Sequence, residues 1–393
     1  MSSFFDNIDE EEEHMLSLIA AEEARQAFEE NAEFPPVADK ERQAFIKNSQ
    51  RLLAEEARRL LERDVLAQKA QKLKDNEFIL VSLDDIGELA EAIKARDADV
   101  QPAVRQILQK LAKNNKRILA KWPSDIADSL AKLADDFPNF VDVLNLVGSQ
   151  SVLSALGDDV FSLPPLLLSG PPGVGKTELA QRLAAVVGTQ VLKIDMSSAQ
   201  GDMTINGSDK RYGNTQIGEV ATCLINNDVG NSIVLLDELD KANDVRSGNP
   251  AKALLQLLEK KTAAEFKDAS IPELRLDASR LVWIALANDV DNIPAPVLSR
   301  FRHFEIDSPD VEQSASIAGS IYKGLREANA WGSSFEEVIP EDVAAACAKN
   351  GNPRLMRIAI ESAFAKAARD RRNYLIVDDI EIKKENSKRR IGF

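Results

Sequence analysis

The sequence predicts an α/β fold: a mostly parallel sheet with helices on both faces, followed by a small helical domain and preceded by a mainly helical region. Three observations predict it. Apolar runs of strand length alternate with helical segments from the middle of the chain onward, at Leu166–Leu168, Gln190–Ile194, Ser232–Leu236, Leu281–Ala287 and His303–Ile306. The eight residues Gly170-Pro171-Pro172-Gly173-Val174-Gly175-Lys176-Thr177 follow the first run and precede the helical stretch Glu178–Ala184, the strand–loop–helix setting of a phosphate-binding loop. The third run, Ser232–Leu236, ends in two adjacent carboxylates, Asp237 and Glu238, about sixty residues after that loop.

In chain order, residues 1–38 read as an acidic, partly disordered leader. Residues 1–39 hold twelve carboxylates against Arg25 alone, so eleven of the fifteen excess negative charges sit in a tenth of the chain. A docking arm for a basic partner is the sharper reading of the same charges. Residues 39–135 form a mainly helical module. Ile46, Leu53, Leu60 and Ala67 recur every seven residues beside a stripe of Leu52, Leu66 and Leu73, which predicts a long helix over 39–74. That helix either packs on its own domain or pairs as a coiled coil. Phe78–Val81 fits a short strand or a buried helical turn, and 84–135 alternates amphipathic helical stretches with polar breaks. Residues 136–307 hold the sheet. Residues 308–393 form a helical domain, with helices at Val311–Ala328, Pro340–Lys349 and Pro353–Ala368, and end in a basic tail, Lys383 to Arg390, read as solvated.

Composition excludes several classes. The 393 residues suffice for two or three domains. No apolar run is long enough to span a membrane, and the acidic N-terminus lacks the basic start of a secretory signal. Cys223 and Cys347, with only His14 and His303 beside them, have no metal-binding spacing and fit a reducing, cytoplasmic setting. The acidic balance disfavours sequence-independent binding to nucleic acid.

The motifs specify a chemistry. Glycines at 170, 173 and 175 let the backbone N–H groups turn toward phosphate oxygens, and the following helix start adds its positive dipole end. Lys176 is expected to reach the β- and γ-phosphates, with Thr177 offering its hydroxyl to Mg²⁺. Asp237 is expected to hold Mg²⁺ through water, and Glu238 to orient the attacking water. Asn288, at the end of Leu281–Ala287, can place its amide between the γ-phosphate and that water.

Together with a downstream arginine, these blocks resemble the AAA+ ATPases, and the ATPase module of Lon proteases in particular. Ile205–Tyr212 is similar to Lon's IRG-containing segment, Asp237-Glu238-Leu239-Asp240-Lys241 to DEIDK, and Gly248–Leu255 to GDPASALL. Phe266-Lys267-Asp268 is similar to its F-x-D, and Ile293–Arg300 to IPAPLLDR. The match runs from about Leu166 to Ile306, and more loosely into the lid. It implies ATP as the cofactor, bound by Gly170 to Thr177 with Glu178, Asp237 and Arg354. It implies that Glu238 and Asn288 act with Arg300, an arginine finger reaching ATP in a neighbouring subunit. Arg354 resembles the lid's sensor arginine. Lon carries a second arginine four residues on, whereas here Arg357 follows three on, so Arg357 is the alternative. Tyr212, beside Gly213, matches a pore-loop aromatic, and Asn243–Gly248 a second pore loop.

The resemblance therefore implies a homo-oligomeric ring, a hexamer, that unfolds or remodels a protein client. Lon proteases continue past the lid into a peptidase domain. This chain ends at Phe393, about forty residues beyond Arg354, so ATP hydrolysis without peptide hydrolysis is expected. The alternatives are a switch or assembly factor that recruits a separate nuclease or protease, and a DNA-acting loader.

Overall fold

A computed structural model describes residues 73–96, 102–198, 202–208, 216–242 and 250–382. The acidic leader, the expected 39–74 helix up to residue 72, Tyr212 with Gly213, the 243–248 segment and the basic tail lie outside the described residues; residues 73 and 74 are described and are not helical. The chain divides into two compact units. One comprises residues 1–72 and 112–114; the other comprises 73–111 and 115–393, and holds nearly everything described below.

The elements follow in order as β1 (Glu77–Ile79), α1 (Leu83–Arg96), α2 (Pro102–Lys113), β2 (Lys116–Ile118), α3 (Ile126–Asp136) and α4 (Val141–Ser154). The sheet region then runs β3 (Leu166–Ser169), α5 (Lys176–Val187), β4 (Val191–Asp195), α6 (Met203–Asn206), α7 (Glu219–Asn226) and β5 (Ile233–Asp237). It continues with α8 (Pro250–Leu257), α9 (Lys260–Ala263), β6 (Val282–Ala287), α10 (Ala295–Leu298) and β7 (Arg302–Glu305). The helices α11 (Val311–Ala328), α12 (Glu341–Ala348) and α13 (Pro353–Arg369) complete the lid.

The five strands β3 to β7 form one parallel sheet in the order β4-β5-β6-β3-β7. Each observed strand lies within one residue of its expected bounds. The inner strands β3, β5 and β6 are buried almost throughout, which is why their sequences are unbroken apolar runs rather than alternating ones. One face packs Leu166, Leu168, Leu235, Ile284 and Leu286 against Leu179, Leu183, Val143 and Val147. The opposite-facing Leu167, Val234, Leu236, Trp283 and Ala285 are equally buried. Trp122, Leu130 and Leu133 belong to the first of these clusters, so packing is continuous across residues 135–136, where sequence alone suggested a boundary.

The stretch 84–135, read as amphipathic helices with polar breaks, also contains a strand. β2 pairs antiparallel with β1, matching Phe78 with Arg117. Arg117 is buried and donates from Nε to the Leu224 carbonyl and from Nη2 to that of Ile225, capping the last turn of α7. A three-residue strand built on a charged side chain carries no apolar alternation, so periodicity passes it over.

The lid has its own core, in which Ile317, Tyr322, Leu325, Val343, Met356, Ile360 and Phe364 pack together. Asp310 caps α11: its side chain accepts from Gln313 N at 2.8 Å, and Gln313 Oε1 accepts from Asp310 N at 3.0 Å. Asn352 caps α13, with Pro353 in its first turn. Among the described residues no helix is long and apolar enough to cross a membrane.

Candidate active site

The sheet order sets the site. β5, β6 and β3 are consecutive neighbours, and their carboxyl ends deliver Asp237 with Glu238, Asn288 and the phosphate loop to one edge. Open parallel sheets bind ligands at this edge. The loop needs glycine where its backbone leaves ordinary space. Gly170 has φ +145°, and a side chain there would strike the Ile306 carbonyl. Gly173 has φ +85° and faces the Asn352 amide, with no room for a β-carbon. Val174 is buried and anchors the loop's middle.

A cleft of about 440 Å³ opens between the loop and the lid. Pro172 to Glu178, Asp237, Glu238, Asn288, Arg354 and Arg357 all line it. Gly170 and Pro171 do not; their carbonyls instead accept from Lys176 Nζ, at 2.5 and 3.0 Å. The same ammonium lies 3.3 Å from Asn288 Oδ1. Burial holds Lys176 below the ordinary lysine value, against the opposing pull of the Asp240 and Asp237 carboxylates. Thr177 is half-buried, one residue into α5, and Glu178 is exposed and pairs with Arg182 at 3.3 Å.

Both acidic residues have lysine partners. Lys193 Nζ lies 2.7 Å from Asp237 Oδ2, and Lys241 Nζ 2.6 Å from Glu238 Oε1. Glu238 adopts a left-handed backbone, φ 56° and ψ 44°. For a non-glycine residue this conformation costs on the order of 1–3 kcal/mol, and such strain is concentrated at working sites.

Arg300 does not line its own chain's cleft. Its Nη2 lies 2.6 Å from Glu259 Oε1, and Nη1 donates to the Pro296 carbonyl at 2.5 Å. Arg354 and Arg357 both line the cleft; Arg357 also pairs with Glu361 at 3.3 Å.

Sequence reasoning missed the cleft's apolar wall and its clasp. Phe137, Ile317 and Ile321 line it together with Pro353. Asn352 Nδ2 donates to the Pro172 carbonyl at 2.9 Å, tying the lid to the phosphate loop. The triplet Asn352-Pro353-Arg354 carried a helix-cap signal, but nothing in sequence told what the cap would touch. Asp268 is also more than a motif residue. Fully buried, it accepts from Gly218 N and Ser270 N, each at 2.8 Å, and burial pushes its carboxyl up.

The residues present suit a magnesium nucleoside triphosphate. A glycine loop opens onto a helix start, a lysine and a threonine sit at its end, and two carboxylates face them across the cleft. Fold and site thus define a P-loop ATPase. Residues 166–308 match the family described as ATPase family associated with various cellular activities (AAA). The chain is 34% identical over 163 residues to the Lon protease of Metamycoplasma arthritidis (strain 158L3-1), covering 42% of this chain and 19% of that protein. It is 35% identical over 155 residues to the Lon protease of Amoebophilus asiaticus (strain 5a2), covering 39% and 18%. Among solved structures, the RuvB Holliday junction branch migration motor of Thermotoga maritima is 16% identical, covers 66% of this chain and 67% of its own, and gives a TM-score of 0.42. The chain spans about a fifth of the length of the Lon proteases it matches. It contains an AAA ATPase domain homologous to the AAA module of Lon proteases.

Proposed function

We propose that the chain is an ATP-hydrolysing, Lon-like ring motor that unfolds or remodels a protein client. One observation carries the reading: the cleft gathers the phosphate loop, Asp237, Glu238, Asn288 and the two lid arginines on a single surface. Pro172 to Thr177 hold the phosphates through backbone N–H groups, and Lys176 exchanges its loop carbonyls for phosphate oxygens. Thr177 and Asp237 hold Mg²⁺, Asp237 through water. When bound, Mg²⁺·ATP supplies the transferable phosphoryl group and neutralises its charge. Glu238 orients and polarises water, with Asn288 fixing its position. Arg354 reads the γ-phosphate from the lid; Arg357, engaged by Glu361, is the less available of the two. Phe137, Ile317 and Ile321 offer an apolar wall to the base.

Arg300 does not line its own cleft and is held by Glu259, which supports action on a neighbouring copy in a hexamer. Chemistry shared across a boundary couples hydrolysis to subunit movement, and the lid, clasped through Asn352, is the element to report it. The test is Glu238→Gln. It should bind ATP with wild-type affinity yet hydrolyse it at least ~100-fold more slowly, and a client should co-purify with it in ATP. Turnover within a few fold of wild type would refute the assignment.

A further inference from the structure

Lys193 is the register partner of Leu235, and parallel neighbours in register share a face of the sheet. Asp237 lies two residues beyond Leu235 and faces the same side. The Lys193 ammonium therefore sits diagonally against the carboxylate, 2.7 Å from Oδ2. Asp237 lines the cleft, and Lys193 does not. The lysine side chain is 48% exposed and the carboxylate 22%. A pair this open adds little to folding stability. Its charge nevertheless acts on whatever else Asp237 binds. Glu238 has its own ammonium partner in Lys241, so within the chain each of the two acids is already matched by a cation.

We propose that Lys193 is the resident counter-ion of Asp237, and that a divalent cation is taken up here by exchange against it. Lys193 thereby sets the metal affinity of the site. The inference rests on the cleft being a metal–nucleotide site. An ammonium on Asp237 weakens divalent binding twice: it competes for the carboxylate's lone pairs, and it repels a like charge only one shell away.

The experiment is a titration of Mn²⁺ into the full chain at saturating ADP, followed by loss of the free-ion paramagnetic signal. Lys193→Met should bind Mn²⁺ about three- to tenfold more tightly than wild type. Lys193→Arg, which keeps the charge, should stay near wild type. Equal or weaker binding by Lys193→Met, in protein that still takes up ADP normally, overturns the exchange. A second measurement needs no variant. In wild type, an amine-reactive ester should modify Lys193 several-fold faster once Mn²⁺·ADP is present, as mass spectrometry of the peptide would show; an unchanged rate overturns the proposal. Wild-type protein that binds neither Mn²⁺ nor ADP would instead refute the nucleotide-site reading beneath it.

Discussion

Lys176 shows how a single side chain is prepared for its task. It is buried to 8% exposure, and its ammonium is satisfied by two carbonyls of its own loop and by Asn288. Burial alone would favour the neutral amine, but the nearby Asp237 and Asp240 carboxylates oppose that. A positive charge held this way is positioned before any ligand binds, so little ordering is left for binding. Lys176→Ala should abolish detectable nucleotide binding in calorimetry while the melting transition persists. The cysteines are the contrasting case. Burial pushes the Cys347 thiol up to about 11 and raises Cys223 as well. Neither should react appreciably with an alkylating reagent at pH 8 until the protein is unfolded, as a mass measurement over time would show.

The lid illustrates stability at the scale of elements. α11 and α13 meet through Tyr322 stacked on Phe364, with ring centres 4.9 Å apart. The chain after α13 is held by Arg372, whose two terminal nitrogens reach the two oxygens of Asp379 at 2.8 Å each. Asp379 also accepts from Ile376 N at 3.0 Å. The Arg372 guanidinium, chiefly, holds the Asp379 carboxyl below the ordinary value of 3.8. A depressed carboxylate contributes stability that is complete above its unfolded value and is lost as pH falls through the folded one. Asp379→Asn should therefore lower the melting temperature at pH 7 by about 4 °C. The gap between variant and wild type should narrow as the pH falls through the depressed value of the folded Asp379 carboxyl, because both then lack the charge. A gap that is constant with pH would mean that packing, not the ion pair, carries the effect.

At the scale of the whole molecule, the proposed ring is tested at Arg300. Arg300 is held by Glu259 and Pro296 outside its own cleft, so a catalytic use for it requires a second chain. Arg300→Ala should fold and bind ATP but turn over at least ~10-fold more slowly. Mixing it with Glu238→Gln should restore part of the activity, because some boundaries then join an intact Glu238 to an intact Arg300. Absence of rescue at any mixing ratio would show that the site is not shared.

The parts legible in sequence were those encoded by neighbours along the chain. Glycines at 170, 173 and 175 are required by local backbone geometry, and the strands β3, β5 and β6 by burial on both faces, so both leave a contiguous signature. The acids at the end of β5 follow from the same logic. What only the tertiary structure decided is which distant residues share the cleft. No motif in the sequence singles out Phe137, Ile317, Ile321 or Lys193, or shows what Asn352 would touch. Their meaning arises because separate helices and strands are brought side by side by packing, and packing leaves no spacing rule in the sequence of any one of them.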